Sequence, residues 1–143
     1  MNSVYIVYWS GTGNTETMAN MIAEGVIAGG GNALVKEVST LSSNDLDESK
    51  VFALGCPSMG AEELEEDYME PFVAELESKI SGKHILLFGS YGWGDGEWMR
   101  IWTQRMRDCG AIIISDEGII ANDAPDEEAK DRLIQAGKIL ASM

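Results

Sequence analysis

Seven consecutive residues, Ser10-Gly11-Thr12-Gly13-Asn14-Thr15-Glu16, combine hydroxyls and glycines at the point where an apolar run gives way to a helical pattern. That combination suits an anion. Glycines let backbone N–H groups turn toward one point, the hydroxyls of Ser10, Thr12 and Thr15 add donors, and a helix start contributes about half a positive charge. A phosphate is the natural guest. The segment contains no Lys or Arg, so it lacks the Gly-Lys-Ser/Thr end of a nucleoside-triphosphate loop. It also lacks the full Gly-x-Gly-x-x-Gly spacing of a dinucleotide site. A plain helix cap accounts for one or two such residues, not for six in a row.

The elements that must position this loop follow from the alternation of apolar runs with amphipathic stretches along the whole chain. Strands are expected over 4–9, 33–38, 51–55 and 84–89, with a last strand over 111–114 and 119–121 broken by the polar residues 115–118. Lys36 and Glu37 mark the second of these as an exposed edge, while the others have the near-continuous apolar character of buried parallel strands. A first helix runs from Asn14, with Met18, Met21, Ile22, Gly25 and Val26 on one face, to the stop at Gly29-Gly30-Gly31. Met69, Phe72, Val73, Leu76 and Ile80 form the stripe of a second, with Pro71 in its first turn and Gly82 closing it. Met99, Trp102, Met106 and Cys109 form a third, ended by Gly110. Pro125 opens the last, which begins with Asp126, Glu127 and Glu128 and buries Ala129, Leu133, Ala136, Gly137 and Leu140. Residues 40–49 stay open between a loop and a short helical turn around Asp45 and Leu46. The expected fold class is α/β: a three-layer α/β/α sandwich around a five-stranded parallel sheet, in one domain spanning 1–143. Ligands in such sheets sit at the carboxyl ends of the strands, so the loops after Trp9, Gly55, Gly89 and Ala121 are the ones that matter.

Composition narrows the function further. Ten Lys+Arg against twenty-four Asp+Glu leave a net charge of −14, which repels a phosphate backbone and argues against nucleic acid. A macromolecular partner is expected to be basic. No apolar run is long enough to span a bilayer, and Met1-Asn2-Ser3 leads straight into a strand without a basic leader, so a cytoplasmic location is expected. Cys56 and Cys109 lie far apart and suit reduced buried thiols, and His84 has no ligand partner nearby.

Tyr8-Trp9-Ser10-Gly11-Thr12-Gly13-Asn14-Thr15-Glu16 resembles the FMN-phosphate loop of the short-chain flavodoxins, of the clostridial type. Two further segments agree in order and spacing. Gly55-Cys56-Pro57-Ser58-Met59-Gly60-Ala61-Glu62 and Leu87-Phe88-Gly89-Ser90-Tyr91-Gly92-Trp93-Gly94-Asp95-Gly96 resemble the two loops that flank the flavin. The resemblance covers essentially the whole chain and implies the strand order 2-1-3-4-5, which is that of flavodoxins.

It also implies one non-covalent FMN contacted by Ser10, Gly11, Thr12, Gly13, Asn14 and Thr15, by Ser58, Met59, Gly60, Ala61 and Glu62, by Ser90, Tyr91, Gly92, Trp93 and Gly94, and by Asn122. Met59 would cover the inner flavin face and Trp93 the outer one, and Glu62 would meet flavin N3. Gly60 would let the Met59–Gly60 peptide turn its carbonyl toward flavin N5–H, favouring a neutral semiquinone. Ala61 lacks the polar side chain of some relatives. Glu62, Glu63, Glu65, Glu66, Asp67 and Asp95 would oppose further negative charge, giving a low-potential carrier that cycles between semiquinone and hydroquinone. The implied protein is not an enzyme and holds no metal. It is a monomeric carrier serving ferredoxin- or flavodoxin-dependent oxidoreductases with basic docking surfaces. The competing readings are a flavin-dependent reductase of the same fold, which needs a second substrate pocket, and a phospho-acceptor receiver, which needs an acid where Leu54-Gly55-Cys56-Pro57 stands. A metal-binding or apo scaffold lacks a ligand set.

Overall fold

The structure, a computed structural model, describes residues 3–60, 62–115 and 117–143. Strand β1 (Ser3–Tyr8) leads through the glycine-rich loop into α1 (Asn14–Ala28), and β2 (Asn32–Glu37) returns beside it. Strand β3 (Val51–Gly55), helix α2 (Met69–Leu76), strand β4 (His84–Tyr91) and helix α3 (Glu97–Asp108) repeat the pattern. The chain closes with β5 (Ile112–Ile113), β6 (Ile119–Asn122) and α4 (Glu127–Ser142).

All strand pairs are parallel, in the order β2-β1-β3-β4-β5, and β6 also pairs with β4. The fifth position of the sheet is therefore one broken strand, as its sequence suggests. β5 pairs with His84 and Ile85 at the start of β4, and β6 pairs with residues Phe88 to Tyr91 at its end. Polar residues between the two pieces carry the chain off the sheet, and Ser115 there has φ +69°.

Alternation along the strands sends side chains to two cores. Val4, Ile6, Leu86, Phe88 and Ile119 pack under α1 and α4, while Val7, Phe52, Leu54, Ile85 and Leu87 pack under α2 and α3. This gives three layers. A 3-10 turn at Val38–Thr40 leads from β2 into the open stretch at 40–49, which holds a second, Ser43–Leu46, closed by a capping box in which the Asp45 carboxylate accepts the Ser42 N–H at 2.9 Å.

Helix α2 ends sooner than its stripe suggests. Glu77 N–H and Lys79 N–H bond back three residues, to Ala74 and Leu76, so the last turn tightens, and Ile80 is buried from a turn rather than from the helix. Pro125 stands just outside α4, whose cap is Asp126, with its carboxylate accepting the Ala129 N–H at 2.8 Å.

Two features hold the layers at their separations. Helices α1 and α4 meet at Gly25 and Gly137, where a Cβ on Gly137 would overlap the Ile22 carbonyl oxygen and one on Gly25 would overlap that of Ile134. Glu65, buried at 5 % exposure, accepts the N–H groups of Asp67, Tyr68 and Met69 at 2.8, 2.8 and 3.0 Å, and so caps α2 from outside the helix.

Urea unfolding tests both. Gly137→Ala is expected to destabilise by about 2 kcal/mol from overpacking, although the same change in an exposed helix stabilises by about 1 kcal/mol, so the sign alone decides. Glu65→Ala, which strands three partly or fully buried donors, is expected to cost about 2 kcal/mol or more. A loss under about 0.5 kcal/mol would show the cap to be replaceable by water.

Candidate functional site

Main-chain geometry at the end of β1 explains how a loop without cations can hold an anion. Gly13 is the N-cap of α1 at φ +99°, a conformation suited to glycine, and it brings no side chain to cap the helix. Among the described residues, the N–H groups of Gly11, Thr12, Asn14 and Thr15 find no acceptor. Ser10 Oγ accepts from Gly13 N–H at 3.1 Å and from Glu16 N–H at 3.3 Å. Its own proton is thus left for an acceptor outside the loop. Thr15 is turned inward, buried at 1 % exposure, with its hydroxyl 3.2 Å from that of Ser90. Its side chain ties the loop to the end of β4.

Gly11, Thr12 and Asn14 line a cleft of about 270 Å³ together with Ser58, Met59, Ser90, Tyr91 and Gly92. The three loops predicted to act together therefore share one cavity. Backbone bonds lock their roots: Trp9 N–H to Gly55 O and Ser58 N–H to Ser90 O, both at 3.0 Å, and Cys56 N–H to Phe88 O at 3.1 Å. Behind Tyr91 the Trp98 ring lies with centroids 5.7 Å apart, and Trp98 Nε1 donates to the Cys56 carbonyl at 3.2 Å. Burial pushes the Cys56 thiol up to about 12, so it stays protonated and inert at neutral pH.

Several expected residues stand elsewhere. Trp93 is 64 % exposed and does not line the cleft, where Tyr91 supplies the aromatic wall. Gly94, at φ +88°, packs against the Glu62 carboxylate, which accepts the Glu97 N–H at 3.2 Å at the start of α3. Gly60, at φ +47°, borders a second hollow beside Trp9 and Met59. Asn122 lines a separate polar hollow with Tyr91 and Arg132. Ala61 lies outside the described residues.

Three lining residues were not anticipated, namely Trp9, Pro57 and Asp123. Trp9 and Pro57 stand directly at strand ends, the position that marks a ligand cleft in a parallel sheet. Asp123 is in the left-handed region, φ +57°, directly after β6, and no sequence pattern signals that.

The acidic residues separate into engaged and free ones. Glu65 is spent on α2, Asp95 pairs with Arg100 at 3.0 Å, and Glu62 is held at α3. Glu63, Glu66 and Asp67 are exposed beside Met59 and Gly60. The turn that carries them is pinned by reciprocal Met59–Glu63 backbone bonds of 2.9 Å.

Comparison with known proteins agrees with this geometry. The flavodoxin family model matches residues 6–137. A flavodoxin of Clostridium beijerinckii is 47 % identical over 138 residues, covering 96 % of this chain and 99 % of the relative. One from Megasphaera elsdenii is 50 % identical over 123 residues, covering 86 % and 88 %. The solution structure of two-electron reduced Megasphaera elsdenii flavodoxin superposes with a TM-score of 0.86 at 47 % identity, covering 95 % of this chain and 98 % of that one. A family-model match over residues 6–137 and likeness to two flavodoxins along most of the chain lead to one conclusion: the chain belongs to the flavodoxin family.

Proposed function

We propose that this chain, folded as one domain, is a low-potential carrier that passes electrons between redox enzymes on one non-covalently held FMN. The observation that carries the reading is the shared cleft, which Gly11, Thr12 and Asn14, whose N–H groups have no acceptor among the described residues, line together with Met59 and Tyr91. Those donors fit a phosphate, and the thioether and phenol fit a flat apolar ring. FMN supplies one-electron and two-electron redox chemistry.

Each residue then has a task. Ser10, Gly11, Thr12, Gly13 and Asn14 hold the phosphate, and Thr15 fixes the loop from beneath. Met59 covers one ring face and Trp93, free to move at its loop tip, covers the other. Ser58, Ser90, Tyr91, Gly92 and Asn122 border the ring and its chain. The Met59 carbonyl, which accepts the Glu63 N–H at 2.9 Å in this structure, would leave that bond to turn about Gly60 toward flavin N5–H, and Glu62 is the side chain offered to N3. Ala61 and Gly94 complete these two loops. Charge sets the direction of the potential. With no Lys or Arg in the phosphate loop and Glu63, Glu66 and Asp67 beside Met59, added negative charge is opposed, which lowers the potential of the second electron.

The same three carboxylates suit docking of a basic surface on a ferredoxin- or flavodoxin-dependent oxidoreductase. A net charge of −14 favours a monomer. Two free thiols fit a reducing cytoplasm, and no described helix is long and apolar enough to cross a membrane. A non-catalytic role is preferred because the relatives that match along most of the chain are flavodoxins, which are electron carriers.

Anaerobic reductive titration of the purified protein tests the reading. Expected is one FMN per chain, reduced in two separate one-electron steps visible in absorbance. A colourless protein or a different flavin overturns it, and steady NADPH-driven quinone reduction by the protein alone would make it an enzyme. Docking has its own signature. The second-order rate of electron transfer to a basic partner is expected to fall by about tenfold between about 0.05 and 0.5 M salt. The triple change Glu63→Gln, Glu66→Gln, Asp67→Asn should flatten that dependence, and an unchanged slope would place the docking surface elsewhere.

A further inference from the structure

Glu16 is out of place in a loop meant for an anion. It is the third residue of α1, one past the hydroxyl-and-glycine run, and a carboxylate there repels a nearby phosphate. Its presence calls for a use other than charge. The structure supplies one, because Glu16 is held at two points. Its backbone N–H donates to Ser10 Oγ at 3.3 Å, and its Oε2 accepts the Tyr8 hydroxyl at 2.6 Å. The phenol comes from the last residue of β1 and is 9 % exposed, its ring packed in the core beneath α1. Burial first, then the bond to Glu16 and the charges of Glu16 and Glu37, push the Tyr8 phenol up to about 12. Tyr8 is therefore a neutral donor throughout the working pH range.

The hydrogen bond spans the whole loop. Residues 9–15 lie between its two partners, and they include Gly13 at φ +99° as well as Gly11. Among the described residues the loop's other ties to the start of α1 are those to Ser10 Oγ, from Gly13 N–H and Glu16 N–H, and those to the Gly13 carbonyl, from Thr17 N–H at 3.0 Å and Thr17 Oγ1 at 2.9 Å. Thr15 and Ser90 anchor the loop to β4 from below, and among the described residues the Tyr8–Glu16 bond is the one that joins strand β1 itself to the first turn of α1. A binding site made of N–H groups works only if those groups are already aimed, since ordering a loose loop subtracts from affinity.

We propose that the Tyr8–Glu16 hydrogen bond is a brace that holds the 10–15 loop in its anion-receiving shape. Tyr8 and Glu16 then act as positioning residues that set how strongly this chain prefers a phosphorylated flavin to an unphosphorylated one. The brace rests on the FMN reading above and adds residues that need not touch the cofactor.

The test is titration of the apoprotein with FMN and, separately, with riboflavin, followed by quenching of flavin fluorescence. Tyr8→Phe keeps the buried ring and removes only the donor, and Glu16→Ala removes the acceptor. Each is expected to weaken FMN by about tenfold, the size of a lost hydrogen bond to a charged group, while riboflavin changes by less than about twofold. Glu16→Gln keeps an acceptor for the phenol and removes the charge, so it should bind FMN at least as tightly as the unaltered protein. Equal FMN affinity in Tyr8→Phe overturns the brace, as does a loss of riboflavin affinity in proportion to that of FMN. A Glu16→Gln protein as weak as Glu16→Ala overturns it as well. An unaltered protein that ignores FMN overturns the proposed function and the brace with it, whereas failure of the variants alone leaves FMN binding intact.

Discussion

An anion held by backbone N–H groups and a serine hydroxyl, in a loop with no Lys or Arg, must be met at close range and from fixed directions. That requirement shapes everything at the top of the sheet. Gly13 sits in the left-handed region at the mouth of α1 and brings no side chain, so among the described residues Glu16 N–H is the first-turn donor taken by a side chain, that of Ser10. Thr15 must face inward and spend its hydroxyl on Ser90, so the loop rests on β4 rather than on solvent. Strand β1 is flanked on both sides, by β2 and β3, so the loop starts from an interior strand of the sheet.

The same demand links the ring end of the cleft to the anion end. Trp9 bonds to Gly55, Cys56 to Phe88 and Ser58 to Ser90, so three strand ends advance together before their loops diverge. A shift of one would misplace the others. Glu65 extends this control to the turn at 59–63. Its own N–H donates to Cys56 Sγ while its carboxylate caps α2, which leaves the turn between two fixed points. Beyond these roots stand Gly60, in the left-handed region, and the exposed Trp93. Loops carried on fixed strand ends are where a parallel sheet places a cofactor site.

Strands were legible because β4 and its neighbours are buried on both faces and therefore apolar nearly throughout, and helices were legible from stripes such as Met99, Trp102 and Met106. The anion loop could be read for a related reason, since its chemistry is local to seven residues. Less could be read wherever long-range contact decides the outcome. Nothing near Glu65 in sequence reveals that it is buried against three N–H groups, so it passes for one more member of an acidic patch. Asp95 and Glu62 look equally free until Arg100 and the start of α3 are in view. Asp123 enters the cleft only because β6 ends in a left-handed residue, and Tyr8 meets Glu16 only because strand and helix fold back on the loop between them.

Helix α1 is the element through which distant parts of the molecule bear on the anion loop. Its front is set by Gly13 and by the Tyr8–Glu16 bond, its back by the contact of Gly25 with α4 at Gly137. A helix is stiff along its axis, so a displacement at the back is carried to the first turn rather than absorbed between. Glycines 25 and 137 thus do more than save space. By letting two backbones touch, they replace side chains that could settle in more than one rotamer with a single backbone-to-backbone seat. That seat fixes where the first turn of α1 stands, and with it the Asn14 and Thr15 N–H groups, which have no acceptor among the described residues. If the loop receives a phosphate as proposed, the packing of one helix pair and the aim of those donors answer to the same geometric constraint.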